Sequence, residues 1–269
     1  MTTSRTALVT GADHDLGYHT SRLLADQDVF LIAHADNLER GEELLERLVK
    51  GGADPLRLEL VCADFTNLAQ VAAMARHVGE THPELSLLVH AKTTAGTGQR
   101  IITTNGNEHT FQINYLAPYL LTRMLHDALA TVPGNRTVFV GSMLHTGGSI
   151  SWTDLNRERR YSQRAVYAQS TLAVAMFTRM IARQRNGSGS AVCTDPGSAD
   201  PALLCLHGPS AQSRPDGADV LARLCAPDFD VANGAFYDRF ELGPVAVAAA
   251  HERALLRLWK RSAAVTGLA

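Results

Sequence analysis

Short runs that are apolar throughout alternate along the chain with longer segments that are apolar on one side only. The continuous runs at 6–10, 29–33, 58–63, 85–91, 137–141 and 191–194 predict six strands. Between them, the spacing predicts helices over 16–26, 38–50, 68–79, 108–130 and 161–185. A strand without polar alternation is buried on both faces. Strict β–α alternation of such strands means a parallel sheet covered on both sides. Right-handed crossovers then give a Rossmann-like, doubly wound, three-layer α/β/α fold. No linker or repeat interrupts it, so residues 1–269 read as one domain. The irregular stretch is 198–217, rich in Pro, Ser, Gly and Asp. It follows the sixth strand, at the edge where ligands bind in such sheets, and reads either as a substrate lid or as a mobile loop.

Charge narrows the partners. Lys and Arg number 25 against 27 Asp and Glu, with no basic run, so nucleic acid is not expected. Cys62, Cys193, Cys205 and Cys225 are scattered, without a Cys-x-x-Cys pair. Reduced buried thiols fit that pattern better than disulfides or zinc, and no metal is expected. The first strand begins near Arg5, which leaves no room for a signal peptide. No apolar stretch approaches the ~20 residues that span a bilayer. The expectation is a cytoplasmic protein that acts on a small molecule away from membranes.

The turn after the first strand reads Thr10-Gly11-Ala12-Asp13-His14-Asp15-Leu16-Gly17. Such a turn offers backbone amides and a helix N-terminus to a pyrophosphate, and glycines let the phosphate reach bare backbone. Gly11 and Gly17 are present, but Asp15 stands at the middle glycine position, with Asp13 nearby. Each close like-charge contact costs about a few kcal/mol at an effective dielectric of ~20. Asp15 is therefore read as an N-cap, which needs no ligand. The second strand ends Ala33-His34-Ala35-Asp36, where Asp36 either reaches a ribose or caps the next helix.

Several longer motifs carry a resemblance. They are Thr104-Asn105-Gly106 with Phe111-Gln112-Ile113-Asn114-Tyr115-Leu116-Ala117-Pro118, the helix over 167–182, and the ending Leu258-Trp259-Lys260-Arg261-Ser262 with Thr266-Gly267-Leu268. By these the chain resembles the short-chain dehydrogenase/reductase family, and within it the retinol-dehydrogenase-like branch. The resemblance implies a catalytic set of Asn, Ser, Tyr and Lys. Asn114, Ser142 and Tyr167 match the first three, and Thr171 stands where the lysine of Tyr-x-x-x-Lys should be. An adjacent ammonium favours phenolate over phenol. Without it Tyr167 is better suited to donate a proton than to accept one.

The resemblance also marks what has changed around the cofactor. The family's Asn-Asn-Ala-Gly reads His90-Ala91-Lys92-Thr93, and its nicotinamide-contacting threonine is Pro201. Asp64 matches the acid that meets the adenine. If a dinucleotide binds, Gly11, Gly17, Asp36, Asp64 and Thr171 are left to hold it, so the cofactor expectation is none or weakly bound NAD(P). Lys92, His90 and His145 are auxiliary candidates, with Lys92 as a substitute for the missing lysine. Each also has a plainer reading as a solvated lysine or a hydrogen-bonded histidine.

Substrate-facing positions survive while cofactor-facing ones are altered, and drift in a dead protein should not spare one side of a cleft. The expected function is an atypical enzyme of this fold in which Ser142 and Tyr167 polarise a carbonyl or hydroxyl of a mid-sized apolar metabolite. Cyclisation, dehydration or isomerisation would be the chemistry. The alternatives are an NAD(P)-dependent ketone reductase or alcohol dehydrogenase, and a silent scaffold. The family pairs through its long helix and its tyrosine helix, which implies a homodimer or homotetramer. Met176, Phe177 and Met180 would serve that interface or the core.

Overall fold

The structure, a computed structural model, describes residues 5–185, 187–198, 200–209, 211–214 and 216–268. Eight strands form one sheet: β1 (Arg5–Thr10), β2 (Val29–Ala35), β3 (Leu58–Cys62), β4 (Leu87–His90), β5 (Asn135–Val140), β6 (Gly189–Asp195), β7 (Phe236–Asp238) and β8 (Glu241–Leu242). Their order is β3-β2-β1-β4-β5-β6-β7-β8. All neighbours are parallel except β7 and β8. The doubly wound fold is the one the apolar runs dictate.

Period-two alternation divides the core. Val9, Leu31, Ala33, Val89 and Val138 face a layer containing α1 (Asp15–Ala25) and α2 (Leu38–Lys50). On the other face Leu8, Ile32 and Leu88 meet α3 (Leu68–Thr81) and α4, the helix over 109–124. That second layer continues through α5 (Gln163–Gln184). Asn side chains start two of these helices. Asn37 accepts from the Arg40 amide at 3.0 Å and Asn67 from the Ala69 amide at 3.0 Å. Met176 and Phe177 belong to the core of α5, and Met180 packs beside it.

Three expectations change. The helix over 108–130 is not uniform: Gln112–Leu116 forms a π-helical turn, and Leu125 separates 109–124 from a short piece at His126–Ala130. The stretch 198–217 is not wholly irregular, because α6 (Pro201–His207) forms inside it and α7 (Gly217–Cys225) begins at its end. Positions 199, 210 and 215 of that stretch lie outside the described residues. The short strands β7 and β8 and the helix α8 (Glu252–Thr266) complete the C-terminal part. All four cysteines are free thiols, but Cys62 and Cys205 are exposed rather than buried. Among the described residues, no helix is long and apolar enough to cross a membrane.

Candidate active site

Strand order reverses between β1 and β4, and the C-terminal ends of the central strands open there into a cavity of about 800 Å³. The cavity runs from the start of α1 (His14, Asp15, Leu16) to Ser142 and Tyr167, with α6 along its wall.

Ser142 follows β5 in extended conformation and starts a 3₁₀ turn, its Oγ accepting from the Leu144 amide at 3.2 Å. Tyr167, in the first turns of α5, lines the same cavity as Ser142. The phenol is almost wholly buried, packed among Ala95, Leu203, Leu206 and Leu144. Burial pushes its pKa well above the ordinary tyrosine range. Asp195 adds to that rise, and the nearby Ser142 hydroxyl only partly offsets it. Asp195 itself is held by the Met143 and Gly197 amides, at 2.7 and 2.9 Å. Asn114 lies in the π-helical turn. Its amide donates to Thr94 O at 2.9 Å and Ser170 Oγ at 3.1 Å, and its carbonyl accepts from the Thr94 amide at 2.8 Å. It thereby ties the loop after β4 to α5, a use of π geometry common near functional sites. Thr171 does not replace the missing cation. Its hydroxyl turns back onto the Tyr167 and Ala168 carbonyls, both at 3.2 Å.

The glycine turn is preserved in shape. Gly11 has φ +67°, and a Cβ there would lie 2.8 Å from the Lys92 Cα. A Cβ on Gly17 would lie 2.1 Å from the Gly11 carbonyl oxygen, so α1 packs directly on the turn. The Gly11 amide donates to Nδ1 of His34 at 2.9 Å, while His34 Nε2 donates to Ala63 O at 2.9 Å. This second bond fixes the neutral tautomer. Burial lowers the His34 pKa to about 4.

The acids of the turn are not where the sequence reading put them. Asp15 is not the N-cap. That place belongs to His14, whose side chain makes no capping bond. The Asp15 carboxylate is 85% exposed and pairs with His19 at 3.4 Å. Asp13 is turned inward, accepting from Arg40 Nε at 2.9 Å. Asp36 is not a cap either, because Asn37 starts α2. Lys92 reaches Asp36 instead. Its stem lies across Gly11, with Cδ 3.1 Å from where a Cβ would sit. Its ammonium is 2.5 Å from Asp36 Oδ2 and 2.5 Å from His14 Nε2. Burial alone would raise the Asp36 pKa, but the His14 hydrogen bond and the Lys92 charge outweigh it and hold the carboxyl far below its ordinary range. Asp13, His14 and Asp36 are close enough to suggest a metal cluster, but it is this ammonium that sits against Asp36 and His14. Lys92 is thus committed at the start of α1, not beside Tyr167. Asp64 holds the turn that precedes α3, accepting from the Thr66 amide and hydroxyl at 2.8 and 2.7 Å.

Two of the candidate histidines lie in the core. His90 stacks on Phe139 with centroids 4.7 Å apart and meets Thr122 Oγ1 at 2.8 Å, and burial lowers its pKa to about 3. His145 is fully buried against Phe236, with Nδ1 donating to Ser142 O at 2.8 Å. A different histidine reaches the site: Nε2 of His207, on α6, lies 3.1 Å from Ser142 Oγ. No motif pointed to it, and only its place just past the sixth strand was a signal. His34 was passed over as well, although its position beside the glycine turn could have been read from strand register.

These residues can be tested against a dinucleotide. The Lys92 stem covers Gly11 and α1 packs on the turn at Gly17, but no side chain caps α1, and the cavity begins at that helix end and extends to Ser142 and Tyr167. A pyrophosphate and nicotinamide fit this half. The adenosine end is bridged by Lys92 and Asp36, so a dinucleotide fits once that bridge opens.

Comparison with known proteins bears on the family. The short chain dehydrogenase pattern matches residues 5–202. The chain is 31% identical to a polyprenol dehydrogenase of Mus musculus, over 98% of this chain and 84% of that one. It is 30% identical to a Streptomyces sp. (strain C5) protein provisionally named a daunorubicin C-13 ketoreductase, over 98% and 93%. A solved structure from Mycobacterium paratuberculosis, without an assigned function, superposes with a TM-score of 0.78 at 26% identity, covering 98% of this chain and 93% of that one. The named relatives are dehydrogenases and a ketoreductase. This overturns the expectation of non-redox chemistry and backs the oxidoreductase alternative set beside it. With most of its length matched by the family pattern and nearly all of it by these relatives, the chain is an enzyme of the short-chain dehydrogenase family.

Proposed function

We propose that the protein is an NAD(P)-dependent oxidoreductase that reduces the carbonyl group of a largely apolar small molecule. The supporting observation is that Ser142 and Tyr167 line one cavity, which begins at an uncapped helix N-terminus. The amides of that helix end would hold the pyrophosphate, and Asp36, once free of Lys92, the adenosine ribose. A reduced nicotinamide supplies a hydride when bound. Val140, Met143, Leu203 and Leu204 line the cavity and give it an apolar wall for substrate. Names among the relatives, which include retinol and polyprenol dehydrogenases, point to substrates of that kind.

The Ser142 hydroxyl orients the carbonyl oxygen, and Tyr167 donates its proton to that oxygen as negative charge develops there. A phenol with a raised pKa and no neighbouring ammonium stays protonated at neutral pH, which suits reduction and not oxidation. Asn114 acts at one remove, holding the β4 loop against α5.

The test is turnover of NADPH or NADH with all-trans-retinal or daunorubicin as the probe carbonyl. Tyr167→Phe is expected to lower kcat by about 100-fold or more. If neither probe is turned over and neither dinucleotide raises the melting temperature, the reading fails.

A further inference from the structure

Ser142 carries a partner that the Asn–Ser–Tyr set does not include. Its Oγ lies 3.1 Å from Nε2 of His207, the last residue of α6. The helix is fixed at both ends. Asp200 caps its start, accepting from the Ala202 amide at 2.8 Å, and Gly208 ends it with φ +103°. Leu203 and Leu206 pack it against Tyr167. The imidazole is half-buried and lines the cavity, so one ring nitrogen meets the serine while the ring keeps access to solvent. Asp195 and Asp200, in the same cavity, are engaged with backbone amides.

The chemistry leaves a gap at this point. After Tyr167 has given up its proton, the phenolate is buried and must be reprotonated. Thr171 carries no exchangeable charge, and Lys92 is tied to Asp36. Imidazole is the side chain that exchanges protons most readily near neutral pH. We propose that His207 recharges the Ser142–Tyr167 pair, doing for this chain what a lysine at position 171 would otherwise do. The inference rests on the oxidoreductase reading.

The steps balance as follows. A reduced nicotinamide dinucleotide, when bound, would supply the hydride to the substrate carbon, and the substrate oxygen takes the Tyr167 proton. The phenolate takes the Ser142 hydroxyl proton. The serine oxygen takes the Nε2 proton of His207 as Nδ1 takes up a proton from bulk solvent, relayed by cavity water. The net change is one hydride and one proton added to the carbonyl.

The full chain is assayed with all-trans-retinal or daunorubicin and the dinucleotide that the wild type uses. His207→Ala is expected to lower kcat by about 100-fold with KM changed by less than about twofold. Added imidazole restores part of that loss. His207→Gln, which fills the space but cannot release and take up a proton, stays low. Rescue by Gln without rescue by imidazole would mean a packing role and overturn the proposal. So would wild-type kcat in His207→Ala, which leaves the oxidoreductase reading standing. Absence of turnover in the wild type, with neither dinucleotide raising the melting temperature, overturns both. A readout independent of turnover is the ¹⁵N shift of the His207 ring, which is expected to move in Ser142→Ala. An unmoved resonance shows that the two groups are not joined and overturns the relay.

Discussion

Lys92 is the residue on which the state of the groove turns. Its stem crosses the glycine turn and its ammonium, with only 7% of the side chain exposed, is held by Asp36 and His14. Partly buried pairs of this kind gain Coulomb energy but sacrifice hydration, so the net stabilisation is small and the geometric effect is the larger one. Breaking the bridge is a cost that any dinucleotide must meet on entry. Lys92→Met keeps the stem and removes the charge, while Arg40 and His14 continue to pair with Asp36. The expected outcome is NADH binding tightened by roughly tenfold in titration calorimetry, about 1.4 kcal/mol. Unchanged or weaker binding would show that the lysine contributes to the ligand site instead of closing it.

Elements are joined here by single buried side chains more than by surface pairs. Arg136, near the start of β5, sends its guanidinium to the end of α7, donating to Leu224 O at 2.6 Å, Ala226 O at 2.9 Å and Phe229 O at 3.1 Å. A cation at a helix C-terminus also meets the negative end of the helix dipole. Arg136→Met should fill the space but strand those carbonyls, costing about 3 kcal/mol and lowering Tm by roughly 6 °C or more in calorimetry. An unchanged Tm would mean that water replaces the arginine without loss. The elements themselves differ in how far the chain announces them. The first six strands each carry a mostly apolar run and stand out. Phe236–Asp238 and Glu241–Leu242 are too short and too polar to do so. The π-helical turn at Gln112–Leu116 has no compositional mark, because it differs from α-helix only in which carbonyl each amide meets. The site divides in the same way. Ser142, Tyr167 and Asn114 follow from motif spacing. The contacts from His207 to Ser142 and from Lys92 to Asp36 join residues 65 and 56 positions apart through side-chain conformation, which no spacing encodes.

At the scale of the whole molecule, two neutral histidines inside the sheet set its response to acid. Burial lowers the His34 pKa to about 4 and the His90 pKa to about 3. In the unfolded chain both take up protons below about pH 6.5. Between that point and their folded values the unfolded state binds more protons, so stability falls as pH falls. The contribution is complete above about pH 6.5 and is lost progressively toward pH 4 and 3, with roughly 3 kcal/mol at stake for His34 alone. Tm should therefore drop markedly between about pH 7 and about pH 5, and a flat profile there would contradict the buried neutral state. The other whole-molecule property comes from the last strand. β8 is two residues long, runs against its neighbour, and is exposed at both positions. An open parallel edge would be a template on which another chain could continue the ladder. The reversed pair presents too few free backbone groups for that. A second copy that met this edge would find a ladder of two residues to extend, too little to anchor a continuous sheet by backbone bonds alone.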